Sequence, residues 1–103
     1  MKIFKELKKL GYIHYSATTI EELDDLPLNS AERVSEQALV LKWFREKYKL
    51  LGTPQYFTGG FYCYTINDMK DTEKSNRLFT EFETHEEAEL ACLNKLIEIT
   101  KTK

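Results

Sequence analysis

The spacing of apolar residues changes character twice in this chain, and that change limits the folds open to it. From Asn29 to Tyr48, apolar positions recur near the 3.6-residue helical period: Val34, Ala38, Leu41, Phe44 and Tyr48. Leu39, Val40 and Trp43 widen that face. Leu50-Leu51-Gly52 and Pro54 read as the helix stop, with Gly52 able to take positive φ. Gln55-Tyr56-Phe57 and Phe61 to Ile66 are then rich in strand formers, with Thr58-Gly59-Gly60 as a hairpin loop between them. Asn67 to Asn76 is polar and reads as a loop, and Arg77 to Glu83 as a third strand. After Thr84 the helical period returns, with Ala88, Ala91, Cys92, Leu96 and Ile99 as the main stripe. Leu90, Leu93 and Ile97 lie partly off it, which predicts contact on two sides of that helix.

The first 28 residues carry shorter signals. Ile3, Phe4, Leu7 and Leu10 suit a helix stopped by Gly11, and Tyr12 to Tyr15 suit an extended segment. Thr19 and Glu22 have the spacing of a capping box that starts a short acidic helix, which Pro27 limits. Asn29 or Ser30 caps the long helix, and Thr84 with Glu87 forms a second capping box. The expected fold is α+β: a three-stranded antiparallel meander packed against two long helices, preceded by short N-terminal helices. With 103 residues the chain suits one domain, 1–103, in which 1–28 is either packed on the core or an extension beside it.

Composition narrows function mainly by exclusion. A net charge of −2 gives no basic excess for coating nucleic acid. The segment from Met1 to Leu10 holds four lysines and no apolar run, unlike a secretory signal, and no stretch suits a membrane span. Together with two cysteines 29 positions apart, read as reduced and buried, this predicts a cytoplasmic protein.

Chemistry-bearing residues are present without the spacing that chemistry needs. His14, Cys63, His85 and Cys92 match a zinc site in number, but zinc ligands come in close pairs and none is close here. Cys63 lies in a strand and Cys92 on an apolar stripe, where burial leaves a thiol inert. The carboxylates Glu21, Glu22, Asp24 and Asp25 lie on the short acidic helix. Glu83, Glu86, Glu87 and Glu89 lie at a helix N-terminus, which the backbone dipole already favours. Gly59-Gly60 lacks the lysine and helix of a phosphate loop. The reading assigns no catalytic residue, cofactor or metal, and favours a binding module over an enzyme.

Aromatic residues, 13% of the chain, supply the candidate surface. Tyr62, Tyr64 and Ile66 share one strand face, and Phe61, Cys63 and Thr65 the other. One face covers the helices; the other is either a solvated surface or a contact. Tyr56, Tyr62, Tyr64 and Phe79 are the candidate rings. Lys42, Arg45 and Lys49 form a basic stripe on the long helix, ordinarily a solvated face. Trp43 is expected to be buried between the two long helices. The leading expectation is a protein partner, with a homo-oligomer through the aromatic face or the terminal helix as one form of it. Single-stranded nucleic acid stacking on the tyrosines is the alternative.

Two stretches, Gln37-Ala38 through Trp43-Phe44-Arg45-Glu46-Lys47-Tyr48 and Thr84-His85-Glu86-Glu87-Ala88-Glu89-Leu90-Ala91-Cys92-Leu93-Asn94-Lys95-Leu96-Ile97-Glu98-Ile99, resemble a group of small phage- and prophage-associated proteins. The resemblance covers roughly the last two-thirds of the chain. It implies a shared fold and a mobile-element origin, and supplies no activity, cofactor or site residue.

Overall fold

A computed structural model describes residues 3–13, 19–56, 59–70 and 77–101, and for residues 77–81 the backbone alone. The fold is α+β. In chain order it comprises helices α1 (Ile3–Lys9), α2 (Ile20–Asp25) and α3 (Ala31–Lys47), strands β1 (Leu50–Tyr56), β2 (Tyr62–Asp68) and β3 (Arg77–Phe82), and helix α4 (His85–Lys101). The strands pair antiparallel in the order β1-β2-β3. β1 and β2 run in unbroken register from Leu50 opposite Asp68 to Tyr56 opposite Tyr62. β2 and β3 slip by one residue between Tyr62 and Tyr64, which face Phe82 and Phe79.

Helix boundaries follow their caps. Gly11, at φ 99°, ends the turn after α1. The Glu22 N–H donates to Thr19 Oγ1 at 3.1 Å, and the Glu87 N–H to Thr84 Oγ1 at 3.1 Å, so both capping sites form. Ser30 holds the N-cap position of α3 without a side-chain bond. The C-terminus of α3 departs from the sequence reading. The helix stops at Lys47, and Lys49 takes positive φ, 57°, to turn the chain into β1. Gly52 and Pro54 therefore lie inside a strand, not in a helix stop. Pro54 is tolerated because β1 is an edge strand, with one side of its backbone outside the ladder. Gly52 is needed for space: a Cβ there would sit 2.7 Å from Cys92 Sγ and 2.9 Å from Leu96 Cδ1. That close approach seats α4 on the sheet.

One core runs through all these elements. Ile3, Phe4 and Leu7 of α1 and Ile20 and Leu23 of α2 join Val40, Phe44, Leu50, Tyr64, Ile66, Cys92, Leu93 and Leu96. The N-terminal helices are thus part of the core and not an appendage. The broad apolar surface of α4 is used inside the chain, meeting β1 and β2 on one side and α3 and α1 on the other. Trp43 is corrected. It is half-buried and packs edge-on against Tyr12, Phe44 and Tyr48, with centroids 5.4, 5.0 and 5.4 Å away. Lys47 Nζ lies 5.2 Å from its ring. Among the described residues, no helix is long and apolar enough to cross a membrane.

Candidate functional site

Besides the rings around Trp43, the described residues gather polar or aromatic side chains in a seam buried between helices and at the end of the β1–β2 hairpin. The seam begins at α2. Asp24 turns inward, and its carboxylate accepts the Phe4 N–H at 2.9 Å and the Lys5 N–H at 3.1 Å. It thereby satisfies backbone donors in the first turn of α1. Arg33 Nη1 donates to the carbonyls of Asp24 and Leu26 at 3.2 and 2.8 Å, and its Nε to Gln37 Oε1 at 2.9 Å. Gln37, fully buried, passes the chain on through Nε2 to Glu89 Oε1 of α4 at 2.7 Å. Beside it the Tyr12 hydroxyl donates to Glu36 Oε2. Burial raises the Tyr12 pKa, and the bond to Glu36 raises it further. Burial pushes Arg33 down, while Asp24 opposes that.

Each of these polar groups is spent on another, and together they tie α1, α2, α3 and α4. The seam is a structural clamp. Counting apolar residues hid it, because Arg33, Glu36 and Gln37 share the buried face of α3 with Val40 and Phe44. The inward face is thus offset from the Val34, Ala38 and Leu41 stripe: Ala38 is exposed, and Val34 and Leu41 are half-buried. The signal available in the sequence was the i, i+3, i+4, i+7, i+11 spacing of Arg33, Glu36, Gln37, Val40 and Phe44, which crosses residue classes.

The hairpin end is built differently. Tyr56 and Tyr62 are opposite each other across β1 and β2, with ring centroids 5.5 Å apart and nearly perpendicular. His85, at the start of α4, stands edge-on to Tyr62 at 6.0 Å. The Gly60 N–H donates to the Tyr56 hydroxyl at 3.2 Å, which pins the ring over the turn. Tyr56 is 60% exposed and Phe61 45%. Glu83 and Glu87 are exposed nearby and Glu86 is half-buried.

The predicted site residues separate accordingly. Tyr56 is at the exposed end, and Tyr62 is half-buried beneath it. Tyr64 is corrected: it is 5% exposed, on the strand face that α4 covers, and belongs to the core. Burial raises its pKa to about 12, with Cys92 and Glu98 adding to the shift. The Phe79 side chain lies outside the described residues, as do His14, and Phe57 and Thr58 of the hairpin loop. Lys42, Arg45 and Lys49 are exposed, Lys42 3.8 Å from Glu46. Lys49 does not adjoin the rings. Lys49 precedes β1 and Tyr56 ends it, so about 20 Å of strand separates them at roughly 3.3 Å per residue. Phe61 and His85 were not singled out as surface residues; turn position and the start of α4 were the signals that place them at this end.

The remaining chemistry-bearing residues show no site. Cys63 and Cys92 are free and buried, and burial raises Cys92 to about 12, helped by Glu89. No group of His, Cys, Asp and Glu suited to a metal occurs among the described residues. No family model matches the chain, and no curated protein or solved structure matches it.

Proposed function

We propose that this is a small phage-type accessory protein that acts by binding another protein through the aromatic end of the β1–β2 hairpin. One observation carries the reading: Tyr56 and Phe61 expose ring surface at one end of the sheet, and the Tyr56 ring is braced edge-on by Tyr62, itself edge-on to His85. Exposed aromatic rings are enriched at protein interfaces. A ring already held by a hydrogen bond and a cross-strand neighbour loses little freedom on binding. The origin rests on the resemblance of residues 37–48 and 84–99. A cytoplasmic setting is supported by two free, buried thiols.

Two observations weigh against single-stranded nucleic acid. Tyr64 is in the core and offers no stacking face. Lys49 stands at the other end of β1 from Tyr56, and the hairpin itself holds no lysine or arginine, whereas stacking sites combine rings with adjacent cations.

The test is a tagged pull-down from bacterial lysate after nuclease treatment, run with the natural chain and with Tyr56→Ser/Phe61→Ser. A stoichiometric protein held by the first and lost by the second is the expected outcome. Equal retention by both would move the binding surface elsewhere, and recovery of nucleic acid alone would replace the reading.

A further inference from the structure

The charge around the aromatic end is one-sided. No lysine or arginine occurs from Leu50 to Met69 or from Phe82 to Asn94, the two stretches that supply the β1–β2 hairpin and the first half of α4. Within the second stretch stand Glu83, Glu86 and Glu87, with Glu83 and Glu87 exposed. The cations of the described residues sit outside these stretches: Lys5, Lys8 and Lys9 on α1, Arg33, Lys42, Arg45 and Lys47 on α3, Lys49 before β1, Lys70 after β2, Arg77 of β3 opposite Ile66 and not Tyr62, and Lys95 and Lys101 farther along α4. The carboxylates enter at the hairpin end because β3 runs antiparallel to β2 and delivers Phe82 opposite Tyr62, so that α4 begins there with the His85 ring 6.0 Å from that of Tyr62.

From this juxtaposition we infer that the partner presents a basic segment, whose arginine or lysine side chains lie on the Tyr56 and Phe61 rings and pair with Glu83, Glu86 and Glu87. The inference rests on the protein-binding reading above and names the chemistry of its partner. Ring faces attract cations, and a carboxylate alongside adds a second attraction to the same group. The alkyl stems of Arg and Lys cover apolar ring surface while their heads stay in water. The capping role of Thr84 accounts for one backbone donor at the start of α4, but it does not account for Tyr56 and Phe61 standing exposed at the end of the sheet where α4 begins. A second copy of this chain is a poor occupant. A two-fold contact through this end would set the same three carboxylates against themselves, and like charges opposed across an interface are costly. A β1-to-β1 sheet extension meets Pro54, which has no N–H to offer along the edge.

The experiment is an NMR titration of the full ¹⁵N-labelled chain with an acetylated, amidated octapeptide of alternating arginine and serine, with a glutamate-serine octapeptide as control. The arginine peptide is expected to shift the amides of Tyr56, Gly59 to Tyr62 and His85 to Glu87, and the glutamate peptide to shift none of them. The double variant Glu86→Lys/Glu87→Lys should weaken the arginine peptide by about fivefold or more, since it removes two solvent-accessible ion pairs and sets like charges in their place. Unchanged affinity in that variant, or shifts confined to the acidic helix α2, would overturn the inference. The pull-down separates the two levels. A protein partner lost with Tyr56→Ser/Phe61→Ser but kept by Glu86→Lys/Glu87→Lys leaves protein binding standing and removes the basic segment.

Discussion

The buried seam and the hairpin end are both made of polar and aromatic groups, yet they dispose of them in opposite ways. In the seam, Arg33, Gln37, Glu89, Asp24, Tyr12 and Glu36 find their partners inside the chain. At the hairpin end, Tyr56 and Phe61 keep ring surface in contact with water. A buried polar group without a partner costs free energy, so a seam of this kind must be complete to be tolerated. An exposed ring carries no such demand and is free to serve another molecule. The comparison teaches that polarity alone does not mark a site; what matters is whether the partners are internal. It predicts that damage to the seam falls on stability and damage to the hairpin end falls on binding.

The sharpest way to break this contrast is Arg33→Ala. Arg33 is 3% exposed and bonds two carbonyls and Gln37. Its removal leaves those acceptors buried and takes away a cation that interacts with Asp24. Breaking a buried charged network in this way costs about 3–5 kcal/mol. The urea midpoint should fall accordingly, and a shift within experimental error would mean the seam is not a clamp. Gln37→Leu keeps the volume but cuts the link to Glu89. It should cost about 2 kcal/mol, the desolvation penalty of the partners left behind.

Cys92 tests the same region through pH. It follows Glu89 by about one helical turn, and burial, with Glu89 adding to it, pushes its thiol up to about 12 from an ordinary value near 9. A folded pKa above the unfolded one means that the contribution is whole below about pH 9 and is lost as pH rises toward 12. By about pH 10 the loss is of order 1 kcal/mol. Cys92→Ala should flatten the alkaline fall of the urea midpoint relative to the natural chain. Parallel curves for the two proteins would show that the thiol does not contribute to it.

How far these two regions could be read from the sequence differs for physical reasons. Caps are local, so Thr19, Thr84 and Gly11 announced their helices. The end of α3 was misplaced because Gly52 and Pro54 resemble a helix stop, while Lys49 takes the left-handed turn with no residue-type signal. The seam escaped notice because apolar periodicity assigns Arg33 and Gln37 to the solvent side. Strand alternation correctly put Tyr62, Tyr64 and Ile66 on one face, but it does not say which face the helices cover. That choice is tertiary, and α4 settles it by packing at Gly52. Tyr64 is lost from the candidate surface for this reason, and Tyr56 stays in it because it lies at the strand's end.

The smallest expected effect completes the contrast. In Tyr56→Ser/Phe61→Ser the Tyr56 ring is already mostly in water and Phe61 nearly half so, and neither belongs to the core. The losses are the edge contact of Tyr56 with Tyr62 and the hydrogen bond from the Gly60 N–H. Gly60 is exposed, so water replaces that bond. Surface changes of this kind usually move stability by no more than about 0.5 kcal/mol. The urea midpoint of the double variant should therefore stay close to that of the natural chain, while capture of the partner disappears. A fall of 2 kcal/mol or more, on the order of a core truncation, would mean the rings stabilise the hairpin itself. The hairpin end would then join the seam as structure, and the binding surface would have to be sought on the exposed face of α3, where Leu39 lies beside Lys42.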